Sequence, residues 1–411
     1  MEINKTYPFL TSLRGYAALM VFLIHGGTFL RDQNFILQGL VDYGKFGVEV
    51  FFIISAVTLS LSIHNTKKFN FFHYLKRRFW RIAPVYFLVC IICFAFAGSI
   101  SGGVYERTLF HIQPYDLQDL FYHFTFLSLF NQQYQDTLVG VEWTIPLEFF
   151  YYLLIPVFYF LAKKSRWFLT IPVVLGIYLY FHQNIFLPIY ITRFGSGDWS
   201  IEKFLSIYAM GVLGFFCIFI FSKRKEKKLF KRIYPYLLST VFLAFLLFYL
   251  NNHMSPNEIK MIIFGLFIAI YAIYFKSKLY NSVNKKLVKK IIENIDITLL
   301  LFLFLLYTQF QYNKAPELIT GFFSIVLIAI LIQGGTLHRI IFENRIAMHI
   351  GKISYSFYLF HIIIITLFLK LNIQNLYINF ALIFIVTLIL STISQKYIEQ
   401  YFLNKYAKSK R

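Results

Sequence analysis

Apolar runs of about 20 residues recur from one end of this chain to the other, and no other feature limits its possible folds as strongly. A helix of that length crosses the hydrocarbon layer of a bilayer. Twelve such runs lie near residues 8–30, 46–64, 84–102, 144–163, 168–187, 203–221, 234–251, 258–275, 295–311, 318–333, 354–371 and 375–395. The ninth and tenth are short, so the expected number of spans is about 10–12. Inside lipid each backbone N–H and C=O needs a partner within its own segment, which a helix supplies. The expected fold is therefore all-α, a polytopic bundle of transmembrane helices. Composition agrees: 58% of the 411 residues are hydrophobic and 14% are charged, against roughly 45–50% and about 25% in soluble domains. A disordered chain, a disulfide scaffold and an ordinary soluble enzyme are excluded.

A formal net charge of +21 would suggest nucleic acid if the chain were soluble. The positions of the charges give another explanation. With a cytoplasmic N-terminus, 31 of the 40 Lys and Arg fall in cytoplasmic segments and 8 in outer ones, with Arg14 inside the first span. That asymmetry is the positive-inside pattern. It places both termini in the cytoplasm and removes nucleic acid as a partner. The first span is too long for a cleavable signal peptide, contains Arg14 and His25, and is followed by no small-residue cleavage site. No sequence repeat is evident. Residues 1–400 read as one integral membrane domain and 401–411 as a short basic cytoplasmic tail. Cys90, Cys93 and Cys217 lie in apolar stretches and read as buried apolar residues. No cluster has metal-ligand spacing, so no metal is expected.

Polar residues inside such spans are costly and mark function by default. Arg14 and His25 stand 11 residues apart, about 20° from a common helical face and about 16 Å apart along the axis. Snorkelling to headgroups is the bland reading for Arg14, and a core hydrogen bond the bland one for His25. The second run carries Glu49 near its outer end, where Lys45 is its nearest cation in sequence, and Ser55 deeper. Arg77, Arg78 and Arg81 fall within about one turn, ahead of Pro84, which is expected to open the next helix. They suit either anionic headgroups or the phosphates of a ligand. Trp143 and Glu148 open the fourth run, and a carboxylate there suits proton transfer. Ser354, Tyr355, Tyr358 and His361 share one or two faces of the eleventh, for a helix contact or for chemistry.

Together these segments identify a resemblance. L-x-x-L-R-G-x-x-A-x-x-V-x-x-x-H, with Arg14 and His25, resembles the Arg-x10-His signature of the membrane acyltransferase-3 family, whose bacterial members O-acylate cell-surface sugars. G-V-E-V-F-F-I-I-S-A is similar to its second motif, and the segment from Arg77 to Tyr86 to its Arg-Arg-x-x-Arg-Ile-x-Pro-x-Tyr motif. Trp143 to Glu148 resembles W-S-L-x-x-E, Ile353 to His361 resembles I-S-Y-S-x-Y-L-x-H, and Ile398-Glu399 resembles the closing Ile-Glu. Departures are Glu49 for Asp, Ala56 for Gly and Thr144 for Ser. The chain resembles the stand-alone members, without a C-terminal esterase-like domain.

The resemblance implies a multi-pass protein of the bacterial inner membrane that moves an acyl group, acetyl first, from coenzyme A to a sugar hydroxyl. On that reading His25, Glu148, Arg14 and Glu49 are catalytic. His25 is the general base, oriented by Glu148, or an acyl-carrying relay. Arg77, Arg78, Arg81 and Ser55 hold cytoplasmic acetyl-CoA. Trp143, Tyr355 and His361 face the acceptor, an extracytoplasmic or lipid-linked sugar or polysaccharide, with membrane lipid around the bundle. Two other classes compete: a transporter or flippase of lipid-linked saccharide, which predicts repeated halves with broken helices, and a non-catalytic partner in polysaccharide assembly, which would not need His25. Neither the oligomeric state nor the acceptor is legible.

Overall fold

The computed structural model describes residues 7–33, 35–96, 116–165, 168, 170–181, 201–220, 316–332, 335–371 and 373–408. Among the described residues every regular element is a helix. In chain order they are α1 (Pro8–Gly26), α2 (Phe35–Tyr43), α3 (Gly47–Asn65), α4 (Phe71–Ala95) and α5 (Leu117–Phe124). They continue with α6 (Thr144–Lys164), α7 (Thr170–Phe181), α8 (Ile201–Phe215), α9 (Pro316–Leu331) and α10 (Thr336–Phe342). The last three are α11 (Arg345–Lys370), α12 (Leu376–Ser394) and α13 (Gln400–Lys408).

Six helical stretches among the described residues are long and apolar enough to cross a membrane: Pro8–Gly26, Leu37–Asn65, Phe71–Ala95, Thr144–Lys164, Arg345–Lys370 and Leu376–Lys405. A seventh candidate, Phe323–Leu331 with Thr336–Phe342, is bent by 117°. The expected spans at 234–251, 258–275 and 295–311 lie outside the described residues.

Capping explains where several helices begin. Asn70 accepts from the His73 amide and starts α4. Asn344 accepts from the Ala347 amide and starts α11, and Asn375 accepts from Tyr377 and Ile378 at the head of α12. Each satisfies amides that have no partner within the helix. These caps correct two boundaries. Pro84 does not open a helix: it lies inside α4, which runs unbroken from Phe71 and carries Arg77, Arg78 and Arg81 on the span itself. The eleventh run begins at Arg345 rather than near 354, because the Asn344 cap is a stronger start signal than the onset of apolar residues. The tail is also more than a loose basic end. Gln400–Lys408 is helical, and Phe402 stacks on Trp80 of α4 with ring centres 5.6 Å apart and planes 7° from parallel.

α3 is the centre of the bundle. It packs against α1, α6, α8 and α9, and Ile53, Ile54, Ala56 and Val57 are wholly buried. A helix apolar all round belongs in such a position. α12, by contrast, leaves Ile385, Ile389 and Ile393 exposed at the perimeter, as a lipid-facing helix does. α1 and α11 pack against each other more extensively than any other described pair. Glycine permits the approach: a Cβ on Gly15 would stand 2.7 Å from the amide nitrogen of Gly351, and one on Gly351 would collide with the Thr11 carbonyl. Small residues at a crossing let two backbones touch, as membrane helices favour.

Candidate active site

Two polar groupings, one toward each end of α1, hold most of the expected site residues. The first is on the half of α1 near its N-terminus. Arg14 donates from its guanidinium to Thr58 Oγ1 at 2.8 Å, and Thr58 in turn donates to the Ile54 carbonyl of its own helix. Ser55, one turn back on α3, donates to Glu148 Oε1 at 2.8 Å. Tyr152, one turn on from Glu148 along α6, donates to the same oxygen at 2.7 Å. Arg14 has Arg81, Tyr152, Glu148 and Arg78 as its charged and titratable neighbours. Arg78 packs its guanidinium over the Tyr74 ring at 5.6 Å.

Three guanidinium groups and one carboxylate therefore share this space. A second carboxylate, Glu399, stands 3.8 Å from Arg81 and accepts from Ser356 of α11. The Nε–H groups of Arg14 and Arg78 are buried and have no hydrogen-bond partner among the described residues. Buried donors without acceptors are rare in folded proteins. Arg77 is different: it is on the exposed side of α4, so the triplet of arginines divides into two inward-facing members and one outward.

The second grouping is at the far end of α1. His25 Nδ1 lies 3.0 Å from His361 Nε2 of α11. His361 is buried, and its Nδ1 meets the Tyr358 carbonyl at 2.5 Å. Tyr358 also donates its hydroxyl to the Val141 carbonyl at 2.7 Å and accepts from Thr144 at 3.0 Å. Tyr355, one turn earlier, donates to the Ile82 carbonyl of α4 at 2.8 Å. α11 thus fastens α1, α4 and the head of α6 through three side chains. A small cleft between α3, α6 and α11 is lined by Phe51, Phe52, Thr144, Glu148, Tyr355 and Tyr358. It joins the Glu148 side of the first grouping to the Tyr358 side of the second.

The segment leading into α6 is held by an acid. Glu142 accepts from four successive backbone amides, those of Leu138 and Val139 through Oε1 and of Gly140 and Val141 through Oε2, at 2.6–3.0 Å. Gly140 has φ 96°, a conformation that glycine adopts without strain. His123, bonded to Tyr86 at 2.9 Å, reaches Glu142 at 3.7 Å and Asp119 at 3.2 Å. This buried platform fixes Trp143, whose ring lies 5.7 Å from that of Phe204 on α8.

The expected site residues divide as follows. Arg14, Ser55, Arg78, Arg81 and Glu148 come together. His25 and His361 come together. Tyr355 and Tyr358 line the cleft between the two, whereas Trp143 is not in its lining and packs against Phe204 of α8. Glu49 is buried in the first turn of α3. The expected pairing of Glu148 with His25 is not the one observed: the bonds of Glu148 go to Ser55 and Tyr152, and the ring of His25 goes to His361. The reason is position. His25 is in the last turn of α1, whereas Glu148 is level with Arg14. Sequence reasoning missed Thr58, Tyr152 and Glu142. Tyr152 carried a signal, since i+4 spacing places it beside Glu148; Glu142 carried none, because the amides it binds are backbone.

Among the described residues no group of His, Cys, Asp and Glu could hold a metal ion. No solved structure matches the chain. Two curated proteins do. An acyltransferase, MdmB, from Streptomyces mycarofaciens is 30% identical over 169 residues, 38% of this chain and 40% of the relative. A protein designated an acetyltransferase, ORF330, from Acidianus two-tailed virus is 26% identical over 219 residues, 52% of this chain and 59% of the relative. The chain thus spans about half the length of the curated relatives it matches. A family model described as an acyltransferase domain matches residues 7–295. That stretch includes Arg14, His25, Arg78, Arg81 and Glu148, and the chain belongs to this acyltransferase-3 family.

Proposed function

We propose that the protein transfers an acetyl group from acetyl-CoA to a hydroxyl of an extracytoplasmic or lipid-linked sugar, within a bacterial inner membrane. The observation that carries this reading is the excess of buried guanidinium over carboxylate around Arg14, Arg78 and Glu148, with two Nε–H donors unmatched. Buried guanidinium N–H groups without acceptors call for an anion, and the phosphates of acyl-CoA are anions that arginine forks fit. His25, about 16 Å further along the same helix, is far enough from that anion site for an extended thioester arm to lie between.

The chemistry is a direct acyl transfer. The acceptor hydroxyl gives its proton to His25 as its oxygen attacks the thioester carbonyl carbon. The C–S bond breaks, the protonated imidazole returns the proton to the departing sulfur, and an O-ester and CoA-SH are formed. Glu148, held by Ser55 and Tyr152, balances the arginine charge rather than orienting His25. Glu49 stays in this reading as a buried acid at the head of α3. Tyr355 and Tyr358 line the cleft on the acceptor side, and Trp143 stands next in sequence to Thr144 of its lining.

The test uses membranes holding wild type or His25→Ala, supplied with acetyl-CoA labelled in its acetyl group. Alkali-labile label on glycan with wild type and none with the folded variant is the expected result. Equal label in both would remove His25 from the chemistry. No label in either, across a range of glycans, would overturn the proposed reaction in favour of transport.

A further inference from the structure

The geometry points to His361 as a positioning residue that sets the tautomer of His25, so that Nε2 of His25 is the basic nitrogen. The inference rests on the acyltransferase reading above. It follows from donor and acceptor accounting along one chain of atoms. The Tyr358 carbonyl can only accept, so the proton at that contact is on His361 Nδ1. His361 is 1% exposed, and its ring packs edge-on to Phe22 with centres 6.5 Å apart. An imidazolium there would be a charge buried without a partner. The ring is therefore neutral, and a neutral imidazole has one N–H.

His361 Nε2 is then a lone-pair acceptor. At 3.0 Å it faces His25 Nδ1, so that nitrogen must carry hydrogen. A neutral His25 with its proton on Nδ1 has its lone pair on Nε2. Free histidine in water favours the opposite arrangement, with the proton on Nε2, in which that nitrogen could not accept one. His361 thus reverses an intrinsic preference. The device differs from a carboxylate-oriented base, because the acceptor is neutral and adds no negative charge beside the imidazolium formed during transfer.

The placement of the pair comes from the helices. Gly15 meets Gly351, and His25 meets His361 with the same sequence offset of 336. The close glycine crossing sets the interaxial distance, and ten residues further along each helix, about 15 Å, the two rings come within bonding reach.

The test is the ring-nitrogen spectrum of ¹⁵N-histidine-labelled full-length protein in membranes, with signals assigned by their loss in His25→Ala and His361→Gln. An unprotonated Nε2 and a protonated Nδ1 on His25 are expected in wild type. His361→Gln places an amide oxygen near the position of the lost Nε2 and is expected to keep that pattern, with transfer within about fivefold of wild type. His361→Leu removes the cross-helix acceptor and leaves the Val21 carbonyl of α1 as the other partner of the His25 ring. It is expected to move the His25 proton to Nε2 and to lower kcat about 100-fold, with KM for acetyl-CoA changed less than about twofold. A wild-type His25 protonated on Nε2, or a Leu variant with an unchanged His25 spectrum, would overturn the inference. If the Leu variant does not fold, the wild-type and Gln spectra decide. The expected spectrum in a wild type that transfers nothing would uphold the ring pairing and count against the reaction proposed for it.

Discussion

Ser55 of α3 donates to Glu148 of α6 at 2.8 Å, tying the central helix of the bundle to the carboxylate that neighbours Arg14. The bond explains why a serine belongs at this depth. With Tyr152 on the same oxygen, it fixes the direction of the carboxylate and leaves Glu148 as the counter-charge to the arginines. Glu148→Gln keeps the shape and both acceptor contacts but removes the charge. Transfer is expected to fall about 100-fold, since a buried charge imbalance of this kind is costly, whereas Ser55→Ala, which leaves Tyr152 in place, is expected to cost less than about tenfold. Initial rates with labelled acetyl-CoA check both; equal losses would mean that the charge of Glu148 is unimportant.

The arginines of α4 should separate in a KM measurement. Arg78 faces inward with an unmatched Nε–H, and Arg77 is exposed. Arg78→Ala is expected to raise KM for acetyl-CoA about tenfold, the scale of one charge-assisted contact. Arg77→Ala is expected to change it less than about twofold. A larger effect at Arg77 would place the phosphates outside the bundle.

Gly351→Ala tests the helix crossing. The added Cβ collides with the Thr11 carbonyl, which is backbone and cannot swing aside. Overpacking of this sort costs about 1–3 kcal/mol. A lower melting temperature in detergent is expected together with loss of transfer, because α1 and α11 must separate. An unchanged melting temperature would show that the crossing is loose.

Glu142→Gln tests the platform before α6. Two of the four amides bonded by Glu142, those of Gly140 and Val141, share one carboxylate oxygen. An amide side chain can offer only one oxygen, so one pair of N–H groups loses its acceptor. Each buried unsatisfied donor costs about 1–3 kcal/mol. The variant is expected to unfold at lower temperature and to become sensitive to protease near residues 136–143. Wild-type resistance in that segment would mean the loop does not depend on the acid.

Much of this was legible from residue order alone. Span length and charge asymmetry depend on local composition, so α1, α3, α6 and the helical class followed from counting. The spacing of Arg14 and His25 likewise placed them at opposite ends of one helix. Partners across helices were not legible, because rotation about each axis is set by packing. That is why Glu148 was expected at His25 and is bonded to Ser55 and Tyr152 instead, and why His361 was expected at the acceptor and is bonded to His25. Arg77 and Arg78 are neighbours in sequence yet differ in exposure for the same reason. Pro84 misled because proline usually starts a helix; within α4 it is tolerated where neighbouring helices surround it.

The constant offset between α1 and α11 also carries a consequence for threading. Gly15 lies beside Gly351 and His25 beside His361, so the two helices point the same way. Two spans that point the same way enter the bilayer from the same face. The N-terminal ends of α1 and α11 therefore share one side of the membrane, and His25 and His361 lie toward the other. Both rings of the histidine pair consequently belong to strokes of the chain made in one direction, and the pair can form only once the chain has come back to the face from which α1 set out.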